Sequence, residues 1–298
     1  MTGRLPEKRS HSLIDLVRRA LEEDIGPGDV TSLACLEPDP VEAVIVAKAP
    51  GVLSGLKPAL LAFALVDSAN SVSPQKRDGE SFVAGDTIVT IKGFNQTVLV
   101  SERVALNFLA HLSGVATLTR EFVRLVEGTG CRVLDTRKTT PGLRLLEKEA
   151  VVHGGGANHR MGLYDMVLIK DNHIAAAGSV RGAIERTCEY LGSVDFRLQF
   201  EADQSSILVE VEVTSLEQLR EAIDSGVDRL LLDNQTPESL TEMVRVARSL
   251  NPEIELEASG NVSLATVGEI AATGVDYVSI GALTHSAAAC DFSLRVIG

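Results

Sequence analysis

The sequence predicts an α/β protein in two parts, an α+β unit followed by βα units arranged as a barrel. Three observations carry this. Before residue 98, strand-like and helix-like segments mix without a regular period. From Cys131 onward, short apolar runs alternate with helical segments, as in parallel βα architectures. Each of those apolar runs also delivers polar residues or glycine at its end.

The elements follow in order. Ser12–Ile25 places Leu13, Ile14, Leu16, Val17, Ala20, Leu21 and Ile25 at helical spacing, and Gly26-Pro27-Gly28 stops the helix. Val41–Lys48 and Val52–Leu53 read as strands around Pro50-Gly51, and Pro58–Val66 as a short helix. Ser81–Lys92 reads as two short strands about a Gly85-Asp86 turn. Val98–Glu127 is a long helical stretch with an expected break at Ser113-Gly114, and it carries the chain into the second part. Six strands are then predicted: Cys131–Leu134, Val167–Ile169, Ile207–Val213, Arg229–Leu232, Ile254–Glu257 and Tyr277–Ile280. Ser215–Ser225, Pro237–Leu250 and Ser263–Ala272 read as intervening helices. Val194–Phe200 offers a further strand, so the residues alone leave a complete or incomplete barrel open.

Composition bounds the function. With 298 residues and 45% hydrophobic residues, the chain has ample core for one large domain, or one large and one small. A net charge of −13 and a pI near 5.0 disfavour nucleic acid and anionic membranes as partners. The N-terminal MTGRLPEKRSHS lacks an apolar run like that of a signal peptide, and no apolar stretch approaches the ~20 residues of a membrane span. Cys35, Cys131, Cys188 and Cys290 are widely spaced and read as buried free thiols of a reducing cytoplasm.

Within this acidic chain, Asp135–Ile174 gathers Arg137, Lys138, Arg144, His159, Arg160 and Lys170. Cations held together repel and are costly to desolvate, so an arriving anion is the expected neutraliser. In βα barrels the chemistry collects where strands end. There the sequence places Thr136, Arg137 and Lys138, then Lys170, then Asp233-Asn234, then Ser259-Gly260-Asn261, and finally Gly281. Glu210 and Glu212 share one face of their strand. The cations suit carboxylates and phosphates. Glu212 and Asp233 suit sugar hydroxyls, or a magnesium ion carried on phosphates. Ser259, Gly260, Asn261 and Gly281 offer small side chains and bare N–H groups, as a terminal phosphate requires, and Ser263 is expected to open the following helix. Together these describe a phosphorylated, magnesium-bound sugar with a carboxylated partner.

Plainer readings weigh against several features. Gly154-Gly155-Gly156 lacks the Gly-Lys-Ser/Thr of a phosphate loop. His153 and His159 lack a third ligand at metal spacing. His111 reads as a satisfied structural histidine, and Glu147-Lys148-Glu149 as an exposed helical face. Either Glu210 or Glu212 has a simple alternative in pairing with a neighbouring arginine. Nothing supports covalent catalysis by serine or cysteine.

SERVALN (Ser101–Asn107), DTRKTTP (Asp135–Pro141), GGGANHRMGLYD (Gly154–Asp165), VLIKDNHI (Val167–Ile174), VEVEV (Val209–Val213), LDN (Leu232–Asn234), EASGN (Glu257–Asn261) and DYVSIG (Asp276–Gly281) together resemble the quinolinate phosphoribosyltransferase family. DIGPGDVTS (Asp24–Ser32) adds to the likeness. The resemblance implies an N-terminal α/β-sandwich domain over 1–113, joined by a returning tail of about 288–298, and an incomplete TIM-like α/β barrel over 114–287. It implies transfer of phosphoribose from phosphoribosyl pyrophosphate to quinolinate with decarboxylation, a step of NAD biosynthesis. Quinolinate would lie among Arg103, Thr136, Arg137, His159, Arg160 and Lys170. Lys138, Glu212 and Asp233 would be catalytic. The 5-phosphate would sit on Ser259, Gly260, Asn261, Ser279 and Gly281. Magnesium would arrive mainly on phosphoribosyl pyrophosphate, near Glu212 and Asp233, without an organic cofactor. The family also implies a homodimer, or an assembly of dimers, with Arg103 reaching into the partner's site. The segment Tyr190–Ser206 is longer and more polar than its connection requires.

Overall fold

The computed structural model describes residues 12–200 and 207–297. Most of the N-terminal segment, and residues 201–206 of the polar connection, lie outside them. The chain divides into two compact units, Met1–Thr117 with Ala287–Gly298, and Leu118–Ser286.

The first unit opens with α1 (Leu13–Ile25), whose N-terminus is capped by Ser12 accepting from the Asp15 N–H. Val17 and Leu21 bury its apolar stripe, and Gly26 ends it at φ 51°. Asp29 caps α2 (Val30–Cys35). The unit continues through β1 (Pro40–Ala47), β2 (Gly51–Val52), α3 (Leu56–Val66), β3 (Ser71–Pro74), β4 (Ser81–Phe82) and β5 (Thr87–Phe94). The tail strand Phe292–Val296 pairs antiparallel with β1, giving a four-stranded sheet in the order tail, β1, β5, β3. β2 and β4 form a separate two-stranded ribbon.

The helix α4 (Asn95–Val126) runs unbroken through Ser113-Gly114, against the expected interruption. Tertiary contacts explain both residues. The Ser113 hydroxyl donates to the Ser54 carbonyl and accepts from the Ser54 N–H. Gly114 faces the returning tail so closely that a Cβ there would overlap the Ala288 carbonyl oxygen. In length and composition α4 resembles a membrane span, against expectation, with mean hydropathy 1.2 over an 18-residue window. However, 56% of that window is buried inside the protein, as in a core helix.

The second unit contains β6 (Arg132–Leu134), α5 (Arg144–His153), β7 (Val167–Ile169), α6 (Asp171–Ala177), α7 (Val180–Leu191), α8 (Val194–Phe200), β8 (Val209–Val213), α9 (Leu216–Asp224), β9 (Arg229–Asp233), α10 (Pro237–Leu250), β10 (Glu255–Ser259), α11 (Val267–Ala271), β11 (Tyr277–Ser279) and α12 (Ala282–His285). The six strands are parallel, in the order β6-β11-β10-β9-β8-β7. No ladder joins β6 to β7 among the described residues. An isolated bridge from Leu134 to Ala157 occupies the free edge of β6. The barrel is therefore incomplete.

Val194–Phe200 is a helix and not a strand. Its apolar residues alternate, which imitates strand periodicity. Helix packing overrides that pattern: Phe196 and Phe200 stack at 5.1 Å, and Tyr190 meets Phe196 edge-on at 5.8 Å. Ser263–Thr266 forms a turn before α11 and does not open the helix; Thr266 is the cap position. All four cysteines are free, but only Cys131 is buried; Cys35 is exposed and the other two are half-buried. Burial pushes the Cys131 thiol up to about 12, which makes it unreactive.

The Gly114 contact gives a stability prediction. Alanine is favoured over glycine inside a helix by about 1 kcal/mol. Gly114→Ala should nonetheless destabilise the protein by about 1–3 kcal/mol, because the added methyl displaces tail backbone. Chemical denaturation measures the sign; a stabilised variant would show that the tail yields freely.

Candidate active site

Parallel register builds the site. Leu168 of β7 lies opposite Glu210 of β8, and Glu210 lies opposite Arg229 of β9. Glu212, Leu231, Glu257 and Tyr277 form the next row across β8 to β11. Asp233, Ser259, Ser279 and Leu134 form the last row, where the strands end. Paired residues in parallel strands point to one face, so these rows share a face. The opposite face carries Val211, Val213, Leu230, Leu232, Leu256 and Val278, all with no exposed surface.

The strand ends open into a cavity of about 590 Å³. Thr136, Arg137, Lys138, His159, Arg160, Lys170, Glu212, Asp233, Ser259, Gly260, Asn261 and Ser279 all line it. Gly281 borders the Lys138 stem: a Cβ there would stand 2.9 Å from Lys138 Cδ. Arg103 is exposed on α4 and belongs to the other unit. Leu168 and Leu231 provide an apolar floor, continuous with Met166 and the half-buried Leu208.

The cations are unevenly compensated. Lys170 Nζ donates to Glu212 Oε2 at 2.8 Å, so Glu212 pairs with a lysine and not an arginine. Arg160 donates to the Met166 carbonyl at 3.2 Å. Burial, and then the nearby Arg137 guanidinium, push Arg160 below its ordinary range. The Arg137 Nε is buried without a hydrogen-bond partner. A polar group in that condition marks where an acceptor would be bound. The Lys138 backbone is tied to both neighbours: its N–H donates to Thr136 Oγ1 at 3.0 Å, and its carbonyl accepts from Thr284 Oγ1 at 2.8 Å.

The small-residue end is tightly built. Asn234 and Asn261 both adopt φ 52°, and Gly260 adopts φ 99°. Asn tolerates this left-handed region better than most residues. A side chain on Gly260 would run into Asn234, with Cγ at 2.6 Å from the new Cβ. Asn261 Nδ2 donates to Asn234 Oδ1 at 3.3 Å, and Asn234 Nδ2 donates to Asp233 Oδ2 at 2.6 Å.

Beneath the cations lies a buried acidic pair, Glu210 with Glu257, of which Glu257 is not among the expected site residues. His159 Nε2 stands 3.2 Å from Glu210 Oε2 and 3.5 Å from Glu257 Oε2, and both glutamates are fully buried. Their signal in the sequence was charged residues inside otherwise apolar strands. Burial and then the neighbouring carboxyl raise Glu257 to about 8, while burial raises Glu210. Both shifts favour the protonated carboxyl. Arg229, opposite Glu210 in the same row, sets its guanidinium on Glu255 at 2.6 Å, 3.8 Å from Glu257 Oε2, and over the Tyr277 ring at 4.3 Å.

These three side chains lie close enough to suggest a metal site. The histidine tautomer argues against it. His159 Nδ1 accepts the Arg160 N–H at 2.7 Å, so the proton sits on Nε2, the atom facing the glutamates. A protonated nitrogen cannot ligate, and the four carboxylate oxygens of Glu210 and Glu257 are buried beside it without a hydrogen-bond partner among the described residues. His153 lies apart, in the last turn of α5. Glu212 and Asp233, two hard-oxygen donors on the cavity wall, fit a magnesium ion better.

The α5 face also differs from expectation. Glu147 and Lys148 are fully buried, and of Glu147-Lys148-Glu149 only Glu149 is exposed. Lys148 donates to Asp135 Oδ1 and to the His159 carbonyl, while Glu147 accepts the Thr140 N–H at 3.0 Å.

Comparison with known proteins places this geometry in a family. Residues 29–113 match the N-terminal domain model of quinolinate phosphoribosyl transferase, and residues 115–295 match its C-terminal domain model. A probable nicotinate-nucleotide pyrophosphorylase [carboxylating] of Bacillus subtilis (strain 168) is 41% identical, over 92% of this chain and 90% of its own. The chloroplastic nicotinate-nucleotide pyrophosphorylase [carboxylating] of Arabidopsis thaliana is 39% identical, over 98% and 84%. The solved structure of nicotinate-nucleotide pyrophosphorylase from Francisella tularensis superposes with a TM-score of 0.87 at 35% identity, covering 100% of both chains.

The buried carboxyls predict a pH effect on stability. A carboxyl raised in the fold stabilises it when protonated; that contribution is complete below about 4.5 and is lost as pH rises through about 8 for Glu257. Melting temperature should therefore fall between pH 5 and 9 by a few degrees. Glu257→Gln should flatten that slope, and an unchanged slope would remove the pair as its cause.

Proposed function

The chain belongs to the quinolinate phosphoribosyltransferase family, and on that premise we propose that it transfers phosphoribose from phosphoribosyl pyrophosphate to quinolinate. The products are nicotinate mononucleotide, pyrophosphate and carbon dioxide. The observation that carries this reading is one cavity holding Arg137, Arg160 and Lys170 beside Lys138, Glu212 and Asp233. A diacid acceptor needs more than one cation, and a sugar-phosphate donor needs both charge signs.

Arg137, Arg160 and Lys170 hold the quinolinate carboxylates, with Thr136 and His159 on the same wall. Arg103 of a second copy completes this group in a homodimer. The Arg137 Nε, buried without a partner, supports a carboxylate at that place. Leu168 and Leu231 receive the pyridine ring. An arriving carboxylate competes with Glu212 for Lys170, so acceptor binding frees Glu212 for the ribose hydroxyls. Asp233 serves the same sugar. Ser259, Gly260, Asn261, Ser279 and Gly281 hold the 5-phosphate, where the Asn234 and Lys138 side chains leave no space for a side chain on Gly260 or Gly281. Lys138, with its backbone fixed at both ends, faces the departing pyrophosphate. Magnesium carried on the donor would neutralise pyrophosphate charge as it develops, near Glu212 and Asp233.

Positioning and electrostatics supply the rate. The pyridine nitrogen bonds to the sugar carbon as the bond to pyrophosphate breaks. The ring then carries positive charge and accepts the electrons of the adjacent carbon–carboxylate bond. Carbon dioxide leaves and a proton takes its place. The cations must hold that carboxylate without favouring it over the transition state. A soluble protein fits this chemistry, and we place it in the cytoplasm.

Carboxyl-labelled quinolinate tests the reaction. Label release should require phosphoribosyl pyrophosphate and magnesium and match pyrophosphate formed; turnover of nicotinate in its place would reassign the acceptor. Lys138→Ala should bind both substrates and lose roughly a hundredfold in kcat; unchanged turnover would remove Lys138 from catalysis. Arg103→Ala mixed with Lys170→Ala should regain activity through hybrid dimers. No gain despite proven subunit exchange would argue against a shared site.

A further inference from the structure

We propose that Lys148, through its buried ion pair with Asp135, is a positioning residue for the acceptor-binding dipeptide His159-Arg160. The inference rests on the functional reading above for the identity of the acceptor. Its geometry stands on contacts that reading does not use.

Lys148 and Asp135 have no exposed side-chain surface. Lys148 Nζ donates to Asp135 Oδ1 and, at 2.9 Å, to the His159 carbonyl. The same Asp135 oxygen accepts the His159 N–H at 2.9 Å. Both backbone polar groups of His159 therefore end on one ion pair. With the peptide fixed, the ring is fixed too: Nδ1 takes the Arg160 N–H, and Nε2 faces Glu210 and Glu257. Arg160 follows directly in the chain. Asp135 also precedes the loop of Arg137 and Lys138, but the Lys138 backbone is held separately, by Thr136 and Thr284.

The neighbouring turn of α5 repeats the pattern. Arg144, Glu147 and Lys148 lie three and four residues apart, on one helix face. Arg144 donates to Thr139 Oγ1 at 3.0 Å and to the Met161 carbonyl at 3.1 Å. Glu147 accepts from Thr140. One helix face thus braces both loops.

Stability alone does not account for this pair. Buried ion pairs can often be replaced by apolar side chains of similar volume without loss. An apolar pair cannot supply a donor to the His159 carbonyl and an acceptor to its N–H. Those two functions fix where the acceptor cations stand.

The test compares wild type, Lys148→Met and the double variant Asp135→Asn/Lys148→Met. The double variant leaves no unpaired buried charge and keeps an acceptor for the His159 N–H, so it remains informative if Lys148→Met does not fold. Measurements are kcat, both KM values, quinolinate binding by calorimetry, and melting temperature. Folded variants should show the quinolinate KM and Kd raised roughly tenfold to a hundredfold, while the KM for phosphoribosyl pyrophosphate stays within about twofold, as expected for acceptor misplacement. Wild-type affinity for quinolinate in either folded variant would overturn the role, as would an equal rise in both KM values. A wild-type protein that neither binds nor consumes quinolinate would instead overturn the functional reading, and this role with it.

Discussion

In-register pairing of parallel strands governs this molecule. Neighbouring residues across β7 to β11 are forced onto a common face, and successive residues onto opposite faces. The sequence VEVEV of β8 is the clearest case: Val209, Val211 and Val213 pack away from the site, while Glu210 and Glu212 point with the charged rows. The same pairing aligns Asp233, Ser259 and Ser279 at the strand ends. A slip of one residue in any strand would carry its charges into the apolar layer.

That arrangement creates an electrostatic problem which the structure meets in layers. Arg229 pairs with Glu255 and stands 3.8 Å from Glu257. Burial raises both Glu210 and Glu257, beside it and under His159, above the ordinary carboxylate range. Lys148 and Asp135 compensate one another at the side. Higher up, Lys170 pairs with Glu212, while Arg137 and Arg160 lie near one another with no salt bridge to either among the described residues. The residual positive potential therefore sits at the mouth, where a solvent-borne anion meets it. A chain of net charge −13 repels polyanions elsewhere and admits a small anion here.

The open edge of the barrel matters to the same design. Between β6 and β7 the chain makes a helix and a long loop in place of further strands. Loop residues His159 and Arg160 thereby enter the site from the side, held by α5. A closed ladder would leave that edge no room for them.

Much of this was legible in the residues. Six apolar runs with polar ends fixed the strands, because burial on both faces requires such runs and function requires their ends. The cation cluster, the Glu212/Asp233 pair and the Ser259–Asn261 turn were readable for the same reason: chemistry constrains residue type at a strand end. What failed was local pattern where distant contacts decide. Val194–Phe200 alternates like a strand, yet Phe196 and Phe200 stack as a helix. Gly114 looks like a helix break, yet it admits the tail beside an intact helix. Glu147 and Lys148 look solvated, yet they are buried against two loops. Fold class and the chemical character of the strand ends follow from periodicity and charge along the chain. Which charges are buried, which are paired and which remain for a ligand is settled in three dimensions, by neighbours far apart in sequence and the desolvation they impose.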